Sequence, residues 1–452
     1  MQIIEYDREW RIDMKHWDKG VLRVSENHRY LCNGKEPFFW LADTAWLLFQ
    51  RCSLEESYVY LRNRRDKGFT VIQAVLMHSI PGTAVSSLAD SDRDVTSREF
   101  WEHCDSVVKM AEELGIYMAL LPSWGAVVKG GALNMDNIDR YVEFVANRYR
   151  ESPNVIWLLG GDIRGSEAVE LYRREGRLFK EITPDKLIGY HPFGRTSSSM
   201  WFHDESWLDF NMFQSGHRRY DQASLGAWDD NAMKEGFFGE DNWRYVDRDH
   251  QCVPLKPTVD GEPSYEWILQ GLHVMDQPYW REWDVRRYAY WSVFQGAMGH
   301  TYGDNAIQQC YCGASCKGAY GVKQVWQESV HHVGSEHMGH LRRLMESVDY
   351  QNGRPEEELL LSGQKERYGR IAVFAGEDFL LAYDYLGEEF AVDLRRFAGR
   401  EIHGWWFDPV SGVSSYFGRF TGEDKAVVKP VARFTEDNDW VLVIRAGKDL
   451  EE

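Results

Sequence analysis

Residues Asn154 to Asp162 read N-V-I-W-L-L-G-G-D. An unbroken apolar run between Pro153 and two glycines fits a strand buried on both faces of a parallel sheet. Running on through Gly160 and Gly161, that strand sets the acid Asp162 at its C-terminal mouth, with little side-chain bulk beside it. In a barrel of parallel strands, that mouth is where chemistry sits. Alone, Asp162 reads equally well as a cap for the following helix. A second stretch changes the balance: Pro257 to Glu266, P-T-V-D-G-E-P-S-Y-E, again ends a short strand in an acidic, glycine-containing turn. Two strand-end carboxylates are what acid/base hydrolysis of a glycosidic bond needs. One protonates the leaving oxygen, while the other, ionised, attacks the anomeric carbon or activates a water. The spacing leaves Asp260, Glu262 and Glu266 open as the second acid.

Outward from these stretches the chain alternates strands with helices. V-L-R-V-S and H-R-Y-L-C form a lead-in hairpin before Lys35 that closes the barrel's bottom. Apolar runs at Pro37–Ala42, Thr70–Met77, Ile116–Trp124, Asn154–Asp162, Leu187–Pro192, Trp207–His217, Pro257–Asp260 and Gly296–Gly303 give eight strands. Helices follow from Ser53, whose pairing with Glu56 is a capping-box signature, and over 97–114, 135–150, 166–182, 221–235 and 283–294. A polar loop through Asp94 follows the second strand, and a last helix covers 328–347. Eight such units are the sequence form of a (β/α)8 barrel, here over 1–350. Beyond Asn352-Gly353-Arg354-Pro355, short alternating runs from L-L-L-S to W-V-L-V-I-R read as a small antiparallel β-sandwich over 356–452.

Composition narrows the function classes. Lys plus Arg number 52 and Asp plus Glu 71, a formal charge of −19 with no basic patch, which argues against nucleic acid or anionic membrane as partner. Nineteen tryptophans exceed what a core needs and suit stacking on sugar rings. The N-terminus carries no apolar signal segment and no run is long enough to span a membrane, so a soluble, cytoplasmic protein is expected. Seven cysteines, an odd count, fit reduced thiols. Cys310, Cys312 and Cys316 lack a fourth metal ligand at a familiar spacing and read as a loop of free thiols. The run His331 to His340 contains no H-E-x-x-H and reads as a helix with surface histidines. Trp405 and Trp406 read as sandwich core and interdomain contact.

With W-L-A-D-T-A-W, W-L-L-G-G-D and D-G-E-P-S-Y-E in this order, the chain resembles the apiosidase-like glycoside hydrolases of family 140 and the DUF4038 group, whose barrel precedes a small sandwich carrying a collagen-binding label. The resemblance spans about residues 20 to 448. It implies Asp162 as acid/base and Glu262 as nucleophile of a retaining enzyme on plant-type, apiose-containing pectic oligosaccharides, with carboxyl groups ~5 to 5.5 Å apart. No cofactor and no metal are needed. On that assignment Asp162 must be held protonated by burial and by Glu262, and Glu262 kept ionised by Arg164, His191 or His217. Asp43, Trp46, His78, Trp124, Arg164, His191, Gln214, His217, Tyr265 and Tyr302 are the expected substrate contacts, with Asp43 beside Trp46 foremost. One alternative is a metal-dependent barrel hydrolase, which would want His-x-His where Asp43-Thr44 stand; the other is a non-catalytic carbohydrate-binding barrel.

Overall fold

The computed structural model describes residues 3–4, 15–80, 93–222, 238–273, 275–421, 425–430 and 438–447. Eight strands form a parallel barrel: β1 (Trp40–Thr44), β2 (Val71–Met77), β3 (Tyr117–Ser123), β4 (Val155–Ile163), β5 (Ile188–Pro192), β6 (Asn211–Gln214), β7 (Thr258–Asp260) and β8 (Gly299–Tyr302). Each pairs in parallel with its sequence neighbour, and β8 pairs with β1. The exception is the seam between β5 and β6, which share no ladder. There the Asp209 carboxylate accepts the Ile188 backbone N–H at 2.7 Å, and the Asp209 N–H donates to the Ile188 carbonyl at 2.9 Å. Lys180 Nζ, 2.7 Å from the same carboxylate, neutralises it. A ninth strand, Thr196–Ser197, adds antiparallel to β6.

The strands form because every residue of β2, β3 and β5 is buried, between barrel interior and helix layer. Helices Leu54–Asp66 and Arg98–Glu113 begin where the sequence signals them: Ser53 and Glu56 make a reciprocal capping box, and Ser97 Oγ accepts the Phe100 N–H.

Several expected boundaries move. The apolar run from Pro37 is two strands, not one: Glu36–Phe38 pairs with Leu31–Asn33 in the lead-in sheet, and β1 starts only at Trp40. Pro37 sits on the edge of that three-stranded sheet, where no backbone N–H is required of it. The last helix is broken into Trp326–Ser329 and Val333–Glu346. Arg64 Nη1 and Lys67 Nζ donate to the Val330 carbonyl at 3.1 and 3.0 Å and divert it from helical bonding. The helix over 221–235 and most of the loop after β2 lie outside the described residues. Cys312 and Cys316 are joined in a disulfide, not free: the 3-10 turn Gly313–Ser315 brings their Cα atoms to 5.5 Å. Of the histidines expected at the surface, His337 and His340 are buried. Their Nδ1 atoms lie 2.9 Å from Arg286 Nη1 and 3.0 Å from the Pro409 carbonyl.

The C-terminal part is an antiparallel sandwich. A seven-stranded sheet contains Ile371–Ala375, Phe379–Asp384, Glu401–Phe407, Ser414–Thr421 and Trp440–Ala446, and Phe390–Asp393 pairs with Lys425–Val428 over it. L-L-L-S is not a strand; a 3-10 turn, Glu357–Leu359, precedes a single bridge at Leu360. Successive residues of the Glu401–Phe407 strand face opposite ways: Trp405 joins the barrel's core, Trp406 the core between the two small sheets. At the barrel wall, Tyr290 of helix Glu282–Phe294 stacks on Tyr383 at 4.5 Å. Beside them Arg286 forms a two-pronged ion pair with Asp439 at 2.9 and 2.8 Å, both side chains fully buried.

Helix Val169–Ile182 buries Glu175, 1 % exposed, among Tyr141, Tyr172 and Tyr190, and burial pushes its pKa up to about 8. The folded state therefore holds a proton that the unfolded chain releases above its ordinary value of 4.5. This contribution to stability is complete below about 4.5 and is lost as pH rises toward 8, with a slope of up to ~1.4 kcal/mol per pH unit. Glu175→Gln is expected to gain melting temperature over the wild type progressively from pH 5 to pH 8; an offset independent of pH would show that Glu175 does not titrate in this window.

Candidate active site

At the C-terminal mouth β4 is bent into a bulge. Gly160, Gly161 and Asp162 take φ of 92°, 93° and 55°, and the pairing with β5 shifts register between Gly160 and Ile163. A Cβ on Gly160 would meet the His191 carbonyl at 2.4 Å, and one on Gly161 the Trp124 ring at 2.8 Å. The two glycines are thus required by backbone hand and by close approach. The bulge leaves Asp162 half-buried on the rim, with its backbone N–H facing His191 Nδ1 at 3.5 Å.

Glu262, two residues beyond β7, is 8 % exposed and lies between two imidazoles. His217 Nε2 is 3.0 Å from its Oε1 and His191 Nε2 is 3.3 Å from its Oε2. The Nδ1 atoms of both rings face backbone N–H groups, those of Asp162 and of Tyr265 (3.4 Å), so each ring presents an Nε2–H to the carboxylate. Burial by itself would raise the Glu262 pKa. The His217 hydrogen bond and the His191 imidazole beside the other oxygen outweigh it and hold the carboxyl well below the usual range. Asp162 goes the other way: burial first, then the Glu262 charge, push it up to about 6, against the pull of His191, Lys129 and His217. One mouth thus holds one ionised and one proton-retaining carboxyl group.

The other two acids of the β7 stretch point elsewhere. Asp260 accepts Ser215 Oγ at 2.6 Å and Asn242 Nδ2 at 3.1 Å, and burial raises it to about 7. Glu266 accepts the Tyr302 hydroxyl at 2.5 Å and is raised to about 7, mainly by burial and then by Asp304. Both are structural carboxyls of the barrel's interior.

Around the pair stand aromatic rings. Trp46 and Trp124 lie 5.2 Å apart, Trp46 meets His191 edge-on at 5.1 Å, and His78 stacks on Trp124 at 5.5 Å. His78 is fully buried and held neutral, its pKa lowered to about 3 by burial and by Arg51. Tyr265 packs edge-on against His217 at 4.7 Å; burial and then the nearby Glu262 charge push its hydroxyl far up. Gln214 is buried at the end of β6 beside Gly194.

Two expected contacts, Asp43 and Tyr302, are engaged within the barrel. The Asp43 carboxylate is fully buried, accepting Tyr60 Oη at 2.7 Å, Arg64 Nε at 2.5 Å and the Thr44 N–H at 2.9 Å. These bonds tie β1 to helix Leu54–Asp66, and the full burial of the carboxylate keeps it from a sugar hydroxyl. Tyr302 bonds Glu266 and lies under the Arg64 guanidinium. Arg164, two residues past Asp162, packs over Phe193 at 4.2 Å. Conversely, Lys129, on a short helix after β3, acts electrostatically on Asp162 and was not marked by any sequence pattern. Among the described residues, no three His, Cys, Asp or Glu side chains are grouped as metal ligands, and no helix is long and apolar enough to cross a membrane.

Residues 25–352 match the family described as "Apiosidase-like, catalytic domain", and residues 355–445 the one described as "Putative collagen-binding domain of a collagenase". Comparison with curated proteins returns no match. Among solved structures, one described as a glycoside hydrolase is 36 % identical with a TM-score of 0.88, covering 96 % of this chain and 98 % of that one. A glycoside hydrolase family 5 structure from Bacteroides vulgatus ATCC 8482 is 35 % identical with a TM-score of 0.88, covering 96 % and 95 %. With the barrel, its acid-bearing mouth and these matches together, the chain belongs to the apiosidase-like family and is a glycoside hydrolase.

Proposed function

We propose that the enzyme is a retaining glycoside hydrolase of plant-type oligosaccharides, pectic and apiose-containing, with Asp162 as acid/base and Glu262 as nucleophile. On this reading residues 1–350 form the catalytic unit and 356–452 a separate sandwich. The observation that carries it is the opposed proton affinity of two carboxyls in one mouth: Asp162 raised to about 6, Glu262 depressed by two imidazole N–H groups. Glu262, ionised, attacks the anomeric carbon while Asp162 gives its proton to the leaving oxygen. Asp162, now a base, then takes a proton from the water that releases the sugar. On this reading Trp46, Trp124, His78, His191, Gln214, His217 and Tyr265 line the approach with Arg164 at the rim, while Asp43 and Tyr302 serve by their bonds within the barrel.

Product stereochemistry tests the mechanism. Hydrolysis of an aryl glycoside followed by proton NMR is expected to show first a product with the substrate's anomeric configuration. An inverted first product would place a water between the acids and remove Glu262 from the nucleophile's role. A panel of defined pectic oligosaccharides tests the substrate: release of apiose sustains it, and turnover confined to other sugars rejects it.

A further inference from the structure

Past the last rung of their ladder, the ends of β6 and β7 are joined by a further set of bonds that runs through side chains. Ser215, the residue after β6, is buried, and so is Asp260, the last residue of β7. The Asp260 carboxylate accepts the Ser215 backbone N–H at 3.3 Å on Oδ1 and the Ser215 hydroxyl at 2.6 Å on Oδ2. Asn242 Nδ2 donates to the same Oδ2 at 3.1 Å and to the Tyr288 carbonyl at 2.8 Å, which anchors the carboxylate to helix Glu282–Phe294 as well. One residue on, the Gly216 N–H donates to the Glu262 carbonyl at 3.1 Å, and Ser264 Oγ donates to the Gly216 carbonyl at 2.9 Å. One more residue on, His217 Nε2 meets Glu262 Oε1 at 3.0 Å.

The two segments therefore match in step, Ser215 with Asp260 and His217 with Glu262. Gly216 takes the left-handed φ of 82°, so that Ser215 faces the wall while His217 turns to the mouth. A glycine is also the least restrained residue at such a turn, and the aim of the His217 ring depends on what holds the chain on either side of it. Beyond the turn, the His217 carbonyl accepts the Gly271 N–H at 2.7 Å and Trp280 Nε1 at 3.2 Å. Before it, the hold is the two-point bond of Ser215 to Asp260.

We propose that Asp260 is a positioning residue: through Ser215 it aims the His217 imidazole at Glu262, without itself touching substrate. The inference rests on the proposed role of Glu262 and adds to it what fixes that carboxylate's donor. Hydrogen bonds weaken steeply as they lose alignment, so a His217 ring released to swing would no longer favour the ionised form of Glu262.

The test compares Asp260→Ala, Ser215→Ala and the double variant in the full chain, by kcat, KM and the pH profile on one aryl glycoside, with melting temperature alongside. Asp260→Ala is expected to lower kcat ~100-fold and Ser215→Ala ~10-fold, the order of loss that a misplaced catalytic group brings. KM is expected to stay within ~2-fold, because no substrate contact is removed. In both variants the acid limb of kcat/KM is expected to move up toward the ordinary glutamate value of 4.5. Adding Ser215→Ala to Asp260→Ala is expected to cost less than ~2-fold more, since the two residues act in one chain of contacts; losses that multiply would show separate roles and overturn the inference. Ser215→Ala removes a single hydroxyl, so it decides the matter even where Asp260→Ala does not fold. A lowered melting temperature with kcat and the acid limb unchanged would make Asp260 a brace of the barrel and overturn the inference, leaving the roles of the acids untouched. Glu262→Gln retaining full activity would instead overturn the assignment of the acids, and this inference with it.

Discussion

Glu262→Gln is expected to lower kcat by roughly 10⁴-fold or more on every substrate, because the amide preserves the shape held by His191 and His217 but removes the attacking electron pair. Asp162→Asn is expected to behave differently. With poor leaving groups it loses ~10²–10⁴-fold, the usual worth of proton donation, and far less with a nitrophenolate that leaves without help. The pH profiles carry the sign. On the proposed roles activity requires Asp162 protonated and Glu262 ionised, so wild-type kcat/KM is expected to fall as pH rises through about 6, where Asp162 loses its proton. The acid limb lies well below the ordinary carboxylate range, because the imidazole donors depress Glu262. In Asp162→Asn the basic limb is expected to vanish. Equal losses in that variant for good and poor leaving groups, with the basic limb retained, would show that another residue donates the proton.

Asp439→Ala is expected to destabilise the whole protein by ~3–5 kcal/mol, since it removes the carboxylate that forms a two-pronged pair with the fully buried Arg286 guanidinium. Tyr383 Oη, which donates to Asp439 Oδ2 at 3.0 Å, loses its acceptor in the same step. Replacing both partners together, Arg286→Met with Asp439→Leu, is expected to recover most of the loss, because no uncompensated charge remains. Denaturant unfolding measures all three proteins. A loss from Asp439→Ala within the ~0.5 kcal/mol typical of surface changes would mean the ion pair is open to solvent.

The barrel was legible because each strand buried on both faces leaves a continuous apolar run, and each run here ends in a polar or aromatic residue. Period-two reasoning could not show the turn of the chain after a strand ends. Asp260 and Glu262, two residues apart, would share a face of one strand, yet Asp260 bonds Ser215 and Asn242 while Glu262 meets His191 and His217. Asp43 misled for a related reason. A strand-end carboxylate beside a tryptophan looks like a hydroxyl acceptor until Arg64, a full β-unit helix away, is seen to claim it. The break of β1 at Phe39 was hidden because the apolar run crosses from one sheet into another without a polar residue to mark the crossing. Lys129 carried no signal, since nothing in a short loop helix announces which rim it will overlook.

The gap in the barrel's hydrogen-bond lattice between β5 and β6 has a chemical consequence. His191 stands at the end of one bank of that gap and His217 just beyond the other, so the two donors that keep Glu262 anionic belong to strands joined by one aspartate instead of a ladder. Any breathing of the wall at this point would part the imidazoles and let the glutamate take up a proton. On the proposed mechanism the readiness of Glu262 is therefore tied to the integrity of the cylinder's least-laced side, where the half-buried Asp209 supplies the bridge.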